Sequence, residues 1–234
     1  MRRRRGIIVL TLFFVAALVA LLPMRLALDW FGFGARGLSA RAATGSLWLG
    51  VLQEARAGPV PLGDVKARLN FWPLFLGRAR LSLAGAEEGT FRGAVTVSRH
   101  SFGFDDVSAR VRVGAMLAPL AISALDFDDV SGGFASGRCI RGEGRVRASM
   151  ASDVAGLNLA SGFSGEVRCA GEAVLLPLVS QTGLERLDIR LFPDGRYQIQ
   201  LAVRPSDEAV RGRLLAAGFR PSAQGYGMRV DGAF

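Results

Sequence analysis

Much of this chain alternates apolar and polar side chains with a period of two, and this pattern constrains the fold more than any other feature. The segment Val107–Val113 reads VSARVRV, with apolar residues at odd positions and polar or small residues at even ones. Segments 65–71, 79–84 and 144–150 follow the same rule. Successive side chains of a β-strand point to opposite faces, so each segment is predicted to be a strand with one apolar and one solvated face.

Glycine-rich turns separate these predicted strands. The chain contains 30 glycines, and short strands joined by tight turns are typical of an antiparallel meander. The clearest turn is the Pro193-Asp194-Gly195 sequence between the alternating segments 187–191 and 197–203. Proline fixes φ and glycine accepts positive φ, so this sequence predicts a β-hairpin.

Helices are predicted at only two places after residue 29. Ser206 is a candidate N-cap, the acidic residues Asp207 and Glu208 follow it, and Gly218 ends the helical pattern. Acidic residues in the first turn and glycine after the last turn match the rules for helix termini. A second, short helical turn is predicted at Trp72–Leu76, and the closing sequence YGMRVDGAF is predicted to be the last strand.

One solvated face on each strand predicts a sheet that is covered on one side only. Two architectures fit: a sandwich or partly open barrel that closes on itself, or a long, strongly curved antiparallel sheet with an apolar concave face. The sequence does not separate them. It contains no clean internal repeat and no linker that would divide the predicted β-rich domain.

The N-terminus contains a long apolar segment. Gly6–Leu22 has no charged side chain and would span about 25 Å as a helix, and adding residues 23–28 brings it to bilayer thickness. A cleaved signal peptide is the alternative, for which Leu18-Val19-Ala20 is the best cleavage sequence. The run is longer than a secretory apolar region, so an uncleaved transmembrane helix at 6–28 is favoured, with Trp30 and Phe31 at the outer interface.

The orientation follows from four consecutive arginines, Arg2, Arg3, Arg4 and Arg5. Cationic flanks remain in the cytoplasm. The sequence therefore predicts a cytoplasmic tail at 1–5, an anchor at 6–28, and a β-rich periplasmic domain at 29–234 of a single-pass inner-membrane protein. A nucleic-acid-binding arm is the other interpretation of this arginine block, but it directly precedes the apolar segment.

The net charge of +9 does not indicate a nucleic-acid partner. Arg2–Arg5 contribute four of these charges, which leaves five on the predicted periplasmic part. The remaining cations alternate with apolar residues, as at Lys66 and Arg68, which is typical of a solvated strand face. A nucleic-acid groove would need a cluster of cations and interleaved exposed aromatic residues. Weak attraction to anionic lipid headgroups remains compatible with this charge.

Two cysteines, Cys139 and Cys169, lie in strand-like surroundings. In an oxidising compartment an even pair in a small domain predicts a disulfide, and the alternative is two buried thiols. Closing a loop of this length would stabilise the fold by about 3–4 kcal/mol in the chain-entropy model. With one histidine in the chain and no Cys-x-x-Cys sequence, no metal site is predicted.

Candidate catalytic and cofactor motifs lack their required context. The sequence GFGARG at 32–37 matches a dinucleotide-binding fingerprint but is not followed by a predicted helix. Ser164 lacks the second glycine of a nucleophile elbow, and His100 is predicted to be a surface or turn residue.

The acidic residues Asp126, Asp128 and Asp129 form the remaining candidate cluster. Asp126 and Asp128 are predicted to share one face of a strand at a solvated edge rather than to bind a cation, since calcium needs more oxygen ligands in a loop. The sequence therefore predicts neither an enzyme nor a cofactor-binding protein.

The segment Ala40–Gly85 carries a family resemblance. Its sequence TGSLWLG places Trp48 between Gly45 and Gly50, and the apolar turn FWPLFLG follows an alternating strand. Trp48 is expected to be a core anchor beside two turn glycines. The order of these features after a single anchor resembles protein N of the bacterial type II (general) secretion pathway. The two cysteines and the LLAAGF sequence before the last strand add to the resemblance.

The resemblance implies an accessory inner-membrane subunit whose periplasmic domain contacts the inner-membrane platform or the pseudopilus. It supplies structural residues, Gly45, Trp48 and Gly50, and no catalytic residue. The alternative is a membrane-anchored carrier of lipids or other hydrophobic ligands, which requires a large uncovered apolar face. A periplasmic enzyme is the third hypothesis and would need a convergent polar pocket.

Overall fold

The computed structural model contains one 16-stranded, antiparallel sheet. It describes residues 10, 13–14, 17, 21–30, 32–34, 37–58, 60–87, 89–113, 122–150, 162–205, 208–223 and 225–233. Three short helices have both ends among these residues: α1 (Met24–Trp30), α2 (Phe71–Phe75) and α3 (Glu208–Ala216). The prediction of a mainly β fold with few short helices is therefore confirmed.

The strands follow the chain in sixteen segments. They are β1 (Leu38–Ser39), β2 (Ala42–Ser46), β3 (Leu49–Ala57), β4 (Val60–Asn70), β5 (Arg78–Gly85), β6 (Phe91–Ser98), β7 (Ser101–Arg112), β8 (Ile122–Ala135), β9 (Arg138–Met150), β10 (Phe163–Glu166), β11 (Arg168–Ala170), β12 (Ala173–Ser180), β13 (Glu185–Leu191), β14 (Arg196–Val203), β15 (Arg220–Ser222) and β16 (Gly225–Ala233).

Most neighbouring strands in the sheet are also neighbours in the chain. From β3 to β10 each strand pairs antiparallel with the next, as the predicted meander requires. The order departs from a meander at the edges: β1 and β2 both pair with β3, β11 pairs with β12 beside the main path, and β16 lies between β14 and β15. The Phe192–Gly195 turn joins β13 and β14 as predicted, with Leu191 opposite Tyr197.

The period-two pattern determines which side chains are buried. On β4, Val65, Ala67 and Leu69 are buried while the intervening Lys66 and Arg68 are exposed. The neighbouring strand β5 buries its own alternate residues and exposes Arg78. One face of these strands is therefore apolar and buried and the other is solvated, as the alternation predicts.

Bulges interrupt the ladders between β7, β8 and β9. The sequence FDDVS occurs twice, at 104–108 and 127–131, and its second aspartate has a positive φ in both copies: 53° at Asp106 and 48° at Asp129. The amide N–H of Asp106 donates to Ser131 Oγ at 3.0 Å, and that of Asp129 donates to Ser108 Oγ at 3.2 Å. The two copies therefore form reciprocal bulges, and bulges bend a sheet and increase its twist.

The apolar side chains form two clusters. The first is built from β3–β6 together with Met24, Phe33 and Leu47, and the second from β7–β16 together with helix α3. Phe102 packs against both. In the described interior these inward-facing side chains are buried and form the core of the domain, rather than the uncovered apolar face that the ligand-carrier alternative requires.

The predicted helices lie close to their expected positions. Helix α2 covers Phe71–Phe75, one residue before the predicted turn, and α3 ends before Gly218, whose φ is 89°. Val210 and Leu214 of α3 are buried. The predicted cap Ser206 and its neighbour Asp207 lie outside the described residues.

The topology residues Arg2–Arg5 and about half of the predicted anchor also lie outside the described residues. Among the residues that are described, no helix is long and apolar enough to cross a membrane. The described end of the predicted anchor contacts the β domain, because Pro23 forms a β-bridge with Ser46 and Met24 is fully buried.

Candidate functional site at the tip of the β2–β3 hairpin

The sequence motif Gly45-x-x-Trp48-x-Gly50 forms the tip of the β2–β3 hairpin. Gly45 lies directly opposite Gly50 across the ladder. Gly45 has a φ of 87°, and a Cβ there would lie 2.5 Å from the carbonyl oxygen of Leu49. Any other residue at position 45 would be strained and would clash with the turn. The backbone conformation of the turn therefore requires the first glycine of the motif.

The segment that precedes the β domain, around Leu22–Met24, contacts the domain at this hairpin tip. The backbone N–H of Leu47 donates to the carbonyl oxygen of Leu22 at 2.7 Å. A Cβ at Gly50 would lie 2.8 Å from Cε of Met24, so the second glycine of the motif leaves space for the methionine side chain. Gly45 and Gly50 therefore serve different contacts, one within the turn and one with the incoming chain.

Trp48 lies at the margin of the core rather than at its centre. It is half-buried and packs against the first apolar cluster. Its ring meets Phe71 of helix α2 edge to face, with 5.6 Å between the ring centroids. Trp48 therefore contacts the core from its margin and is not fully buried.

Helix α2 and its C-cap residue form an apolar cluster that we call the aromatic knob. It consists of Phe71, Trp72 and Phe75 of the helix together with Leu76. The rings of Phe71 and Phe75 lie 4.9 Å apart and those of Trp72 and Phe75 lie 6.1 Å apart. Trp72, Phe75 and Leu76 are 80%, 70% and 76% exposed. A groove of about 440 Å³ separates the knob from Arg78, Arg80 and Thr96. The knob is a cluster of large apolar side chains facing water.

The solvent-facing side of the sheet carries a network of ion pairs centred on Asp105. Its carboxylate accepts from Arg80 at 3.0 Å, from Thr96 at 2.7 Å and from Arg141 at 2.9 Å. The hydrogen bond to Glu143 raises the pKa of Arg141 above its ordinary range. These contacts join four strands across the bulged region, and every group in the network has a partner, which is typical of a structural role.

The predicted acidic cluster lies on the solvated face of β8. This strand lies between β7 and β9, so the prediction that the cluster lies at a sheet edge is wrong. Asp126 pairs with Arg110 at 3.5 Å. Asp129 accepts from Ser108 and from Arg92, and these contacts hold the pKa of its carboxyl below the ordinary value. The described residues contain no group of side chains able to hold a metal ion.

The other sequence candidates are dispersed. His100 is exposed in the turn between β6 and β7, as predicted, and Ser164 is exposed on β10. Gly34 and Gly37 form a turn through a 3.1 Å hydrogen bond rather than a strand-to-helix loop. The structure does not bring these residues together into a site.

Sequence reasoning missed one buried polar group, Glu185 at the start of β13. Its carboxylate accepts hydrogen bonds from Ser180 and Thr182, each at 2.5 Å. Its backbone N–H donates to Ser180 Oγ at 3.3 Å. The SQTGLE sequence between two strands was the available signal. Since these groups satisfy one another, the arrangement stabilises the β12–β13 turn.

Cys139 and Cys169 form a disulfide with 5.5 Å between their Cα atoms. It joins β9 to β11, a strand that pairs only with β12. The backbone N–H of Cys139 also donates to the carbonyl oxygen of Gly171 at 3.4 Å. The disulfide therefore links two strands that share no regular ladder.

The comparison with known proteins agrees with this arrangement. The family model for protein N of the type II secretion system matches residues 36–229, which includes the hairpin tip, helix α2 and both cysteines. No curated protein and no solved structure matches the chain. The matched family is a secretion accessory family and is not known as enzymatic. The chain belongs to the type II secretion system protein N family and is an accessory component of that secretion pathway.

Proposed function

We propose that this chain is a single-pass inner-membrane subunit whose β domain lies in the periplasm and contacts other subunits of the type II secretion machine. Membership of the protein N family identifies the type II secretion system as the machine to which this chain belongs. The compartment, the topology and the contacts are the proposal. The described residues offer no metal-binding group, and the polar clusters at Asp105 and Glu185 are internally satisfied. A positioning role therefore fits better than catalysis.

The observation that carries the periplasmic assignment is the Cys139–Cys169 disulfide. Stable disulfides form in oxidising compartments and are rare in the cytosol. The periplasm is the oxidising compartment next to the inner membrane. In this proposal the apolar run Gly6–Leu22 is the membrane-spanning part of the predicted anchor, since Met24 is buried in the β domain, and Arg2–Arg5 hold the N-terminus in the cytoplasm.

Strand β16 offers a surface for a partner subunit. One side of β16 pairs with β14 over residues 226–233, whereas β15 covers the other side only at Gly225–Gly227. Beyond Gly227, no strand in the described part of the chain occupies that outer edge. Unpaired edge amides and carbonyls bind extended segments of other chains by strand addition. Anchoring keeps such a weak contact at high local concentration.

The test is an in-frame deletion complemented with the full chain, with the culture supernatant and periplasm compared by mass spectrometry. Folded exoproteins are expected to accumulate in the periplasm of the deletion strain and to return to the supernatant on complementation. An unchanged secretome together with altered envelope lipids would instead support the lipid-carrier alternative.

Topology and contact are tested separately in the complemented strain. External protease should digest the β domain in spheroplasts but not in intact cells, and digestion only after lysis would contradict a periplasmic domain. A photo-crosslinking residue at Asp231, exposed on β16, should capture another secretion subunit. The same residue at Arg68, exposed on the internal strand β4, is the matched control. Equal capture at both positions would argue against the edge contact.

A further inference from the structure

The outer part of the aromatic knob faces solvent in the described protein, whereas Phe71 packs against Trp48. Its three outermost side chains, Trp72, Phe75 and Leu76, are at least 70% exposed although they are large and apolar. Pro73 lies between them and restricts the backbone of this short helix. Contiguous exposed apolar groups of this kind mark an interaction surface.

The knob lies next to the point where the chain joins the β domain. Leu47 is bonded to Leu22, the following residue Trp48 contacts Phe71, and Phe71 opens helix α2. Two short contacts therefore connect Leu22, the last residue of the apolar run, to the knob. A membrane that holds residues 6–22 comes close to these aromatic side chains.

Antiparallel pairing brings further turns to the same end of the sheet. We use the name hairpin rim for the connections between strands that lie at this end of the sheet. They are the β2–β3 tip, the β4–β5 connection that contains α2, and the turns β6–β7, β8–β9, β11–β12 and β13–β14. The arginines in or next to these turns are Arg78, Arg99, Arg138 and Arg196. Glu172 and Asp194 are the acidic residues in the same turns, and Asp194 is paired with Arg196.

The remaining charge on the rim is positive in sum, because Arg78, Arg99 and Arg138 stand against the single carboxylate of Glu172. Arg78, Arg99 and Arg138 are exposed and have no carboxylate of a described residue within 4 Å. Exposed arginines are attracted to anionic lipid headgroups, and tryptophan prefers the interface between headgroups and acyl chains. Aromatic side chains beside cations thus match the chemistry of an anionic bilayer surface.

We propose that the hairpin rim docks on the outer surface of the anionic phospholipid bilayer that holds the anchor, with the aromatic knob inserted at the interface. This inference rests on the single-pass topology proposed above. Docking fixes the orientation of the sheet, because the rim faces the bilayer and the opposite ends of the strands, including the β12–β13 turn, point into the periplasm.

The experiment uses the full chain in nanodiscs of phosphatidylcholine and phosphatidylglycerol. A nitroxide label is placed at Leu76→Cys on the knob, and its accessibility to oxygen and to a water-soluble nickel chelate is measured. The native cysteines form a disulfide and do not take the label. The matched control is Leu184→Cys, which is also exposed and lies in the β12–β13 turn at the opposite end of the strands.

The expected result is a severalfold higher ratio of oxygen to nickel accessibility at position 76 than at position 184. Replacing Trp72 and Phe75 by serine should abolish this difference, and discs of phosphatidylcholine alone should reduce it. Equal, aqueous accessibility at both positions in integrated protein overturns the docking while leaving the anchor intact. A chain that alkaline carbonate extracts from membranes overturns the anchor and the docking together. A label that becomes immobile only with other secretion subunits identifies a protein partner instead.

Discussion

Gly50 and Met24 are in van der Waals contact at the junction between the incoming chain and the β domain. A Cβ on Gly50 would lie 2.8 Å from Cε and 3.1 Å from Cγ of Met24. Met24 is fully buried among the apolar side chains of β3–β5. The glycine thus allows the C-terminal part of the predicted anchor segment to insert the side chain of Met24 into the core.

Gly50→Ala is expected to destabilise the protein by about 1–3 kcal/mol, because the added methyl group overpacks this contact. Urea unfolding of the purified full chain in detergent, followed by tryptophan fluorescence, measures the change. In a Met24→Ala background the added cost of Gly50→Ala should fall, since the clashing atoms are gone. An unchanged added cost would assign the effect to the carbonyl oxygen of Thr44, which lies 3.1 Å from the same position.

A second glycine substitution is the control for this experiment. Gly212 lies inside helix α3 and a Cβ there meets nothing within 4 Å. Gly212→Ala is therefore expected to stabilise the protein by roughly 0.5–1 kcal/mol through a lower entropy of the unfolded chain. Destabilisation by both substitutions would show that the measurement does not distinguish local packing.

Removal of the disulfide by Cys139→Ala and Cys169→Ala is expected to lower the free energy of unfolding by about 3–4 kcal/mol. For a chain of this size that corresponds to a Tm lower by roughly 6–16 °C. Circular dichroism with and without a reductant measures it. The reductant should lower the Tm of the native protein and leave the double variant unchanged. A native protein insensitive to full reduction would contradict a stabilising disulfide.

The alternating pattern was sufficient to predict the strands that form the core. The segments around Val107–Val113 and the β13–β14 hairpin lie where the period of two and the Pro-Asp-Gly turn place them. The short helices were predictable from their local apolar and capping residues. These features depend on neighbouring residues in the chain, and local rules describe such features well.

The bulges and the contact of Met24 with Gly50 were not predicted. Asp106 and Asp129 look like ordinary solvent-facing residues, although two adjacent aspartates break the period of two in each FDDVS copy. This five-residue repeat is a signal that the sequence carries, so the interpretation that the chain has no clean internal repeat is wrong for these two segments. The Met24 contact joins segments that are 26 positions apart, and a glycine requirement of this kind depends on the tertiary fold.

Asp129 is expected to contribute to stability in a pH-dependent manner. Hydrogen bonds from Ser108 and Arg92 lower the pKa of its carboxyl. The contribution is therefore fully present above the unfolded-state pKa of about 3.9 and is lost as the pH falls through the lower folded-state value. Carboxyl chemical shifts from NMR should place the titration of Asp129 below the ordinary range.

The substitution Asp129→Asn removes the charge of the side chain and keeps the backbone conformation of the bulge. Asparagine tolerates the positive φ of this bulge as aspartate does, so the backbone cost is small. The difference in unfolding free energy between native protein and variant should be largest above about pH 5 and should shrink on acidification. A difference that does not depend on pH would contradict an electrostatic contribution.

Helix α3 is expected to stabilise the second apolar cluster through Leu214. This side chain is fully buried beside Val210 and Phe219, whereas the next residue, Leu215, is 50% exposed. Leu214→Ala should lower the free energy of unfolding by about 2–5 kcal/mol, because it removes buried methyl groups and leaves a cavity. Leu215→Ala is the matched control and should change it by less than about 0.5 kcal/mol. Similar losses in urea unfolding for both variants would show that α3 does not pack on the sheet through this face.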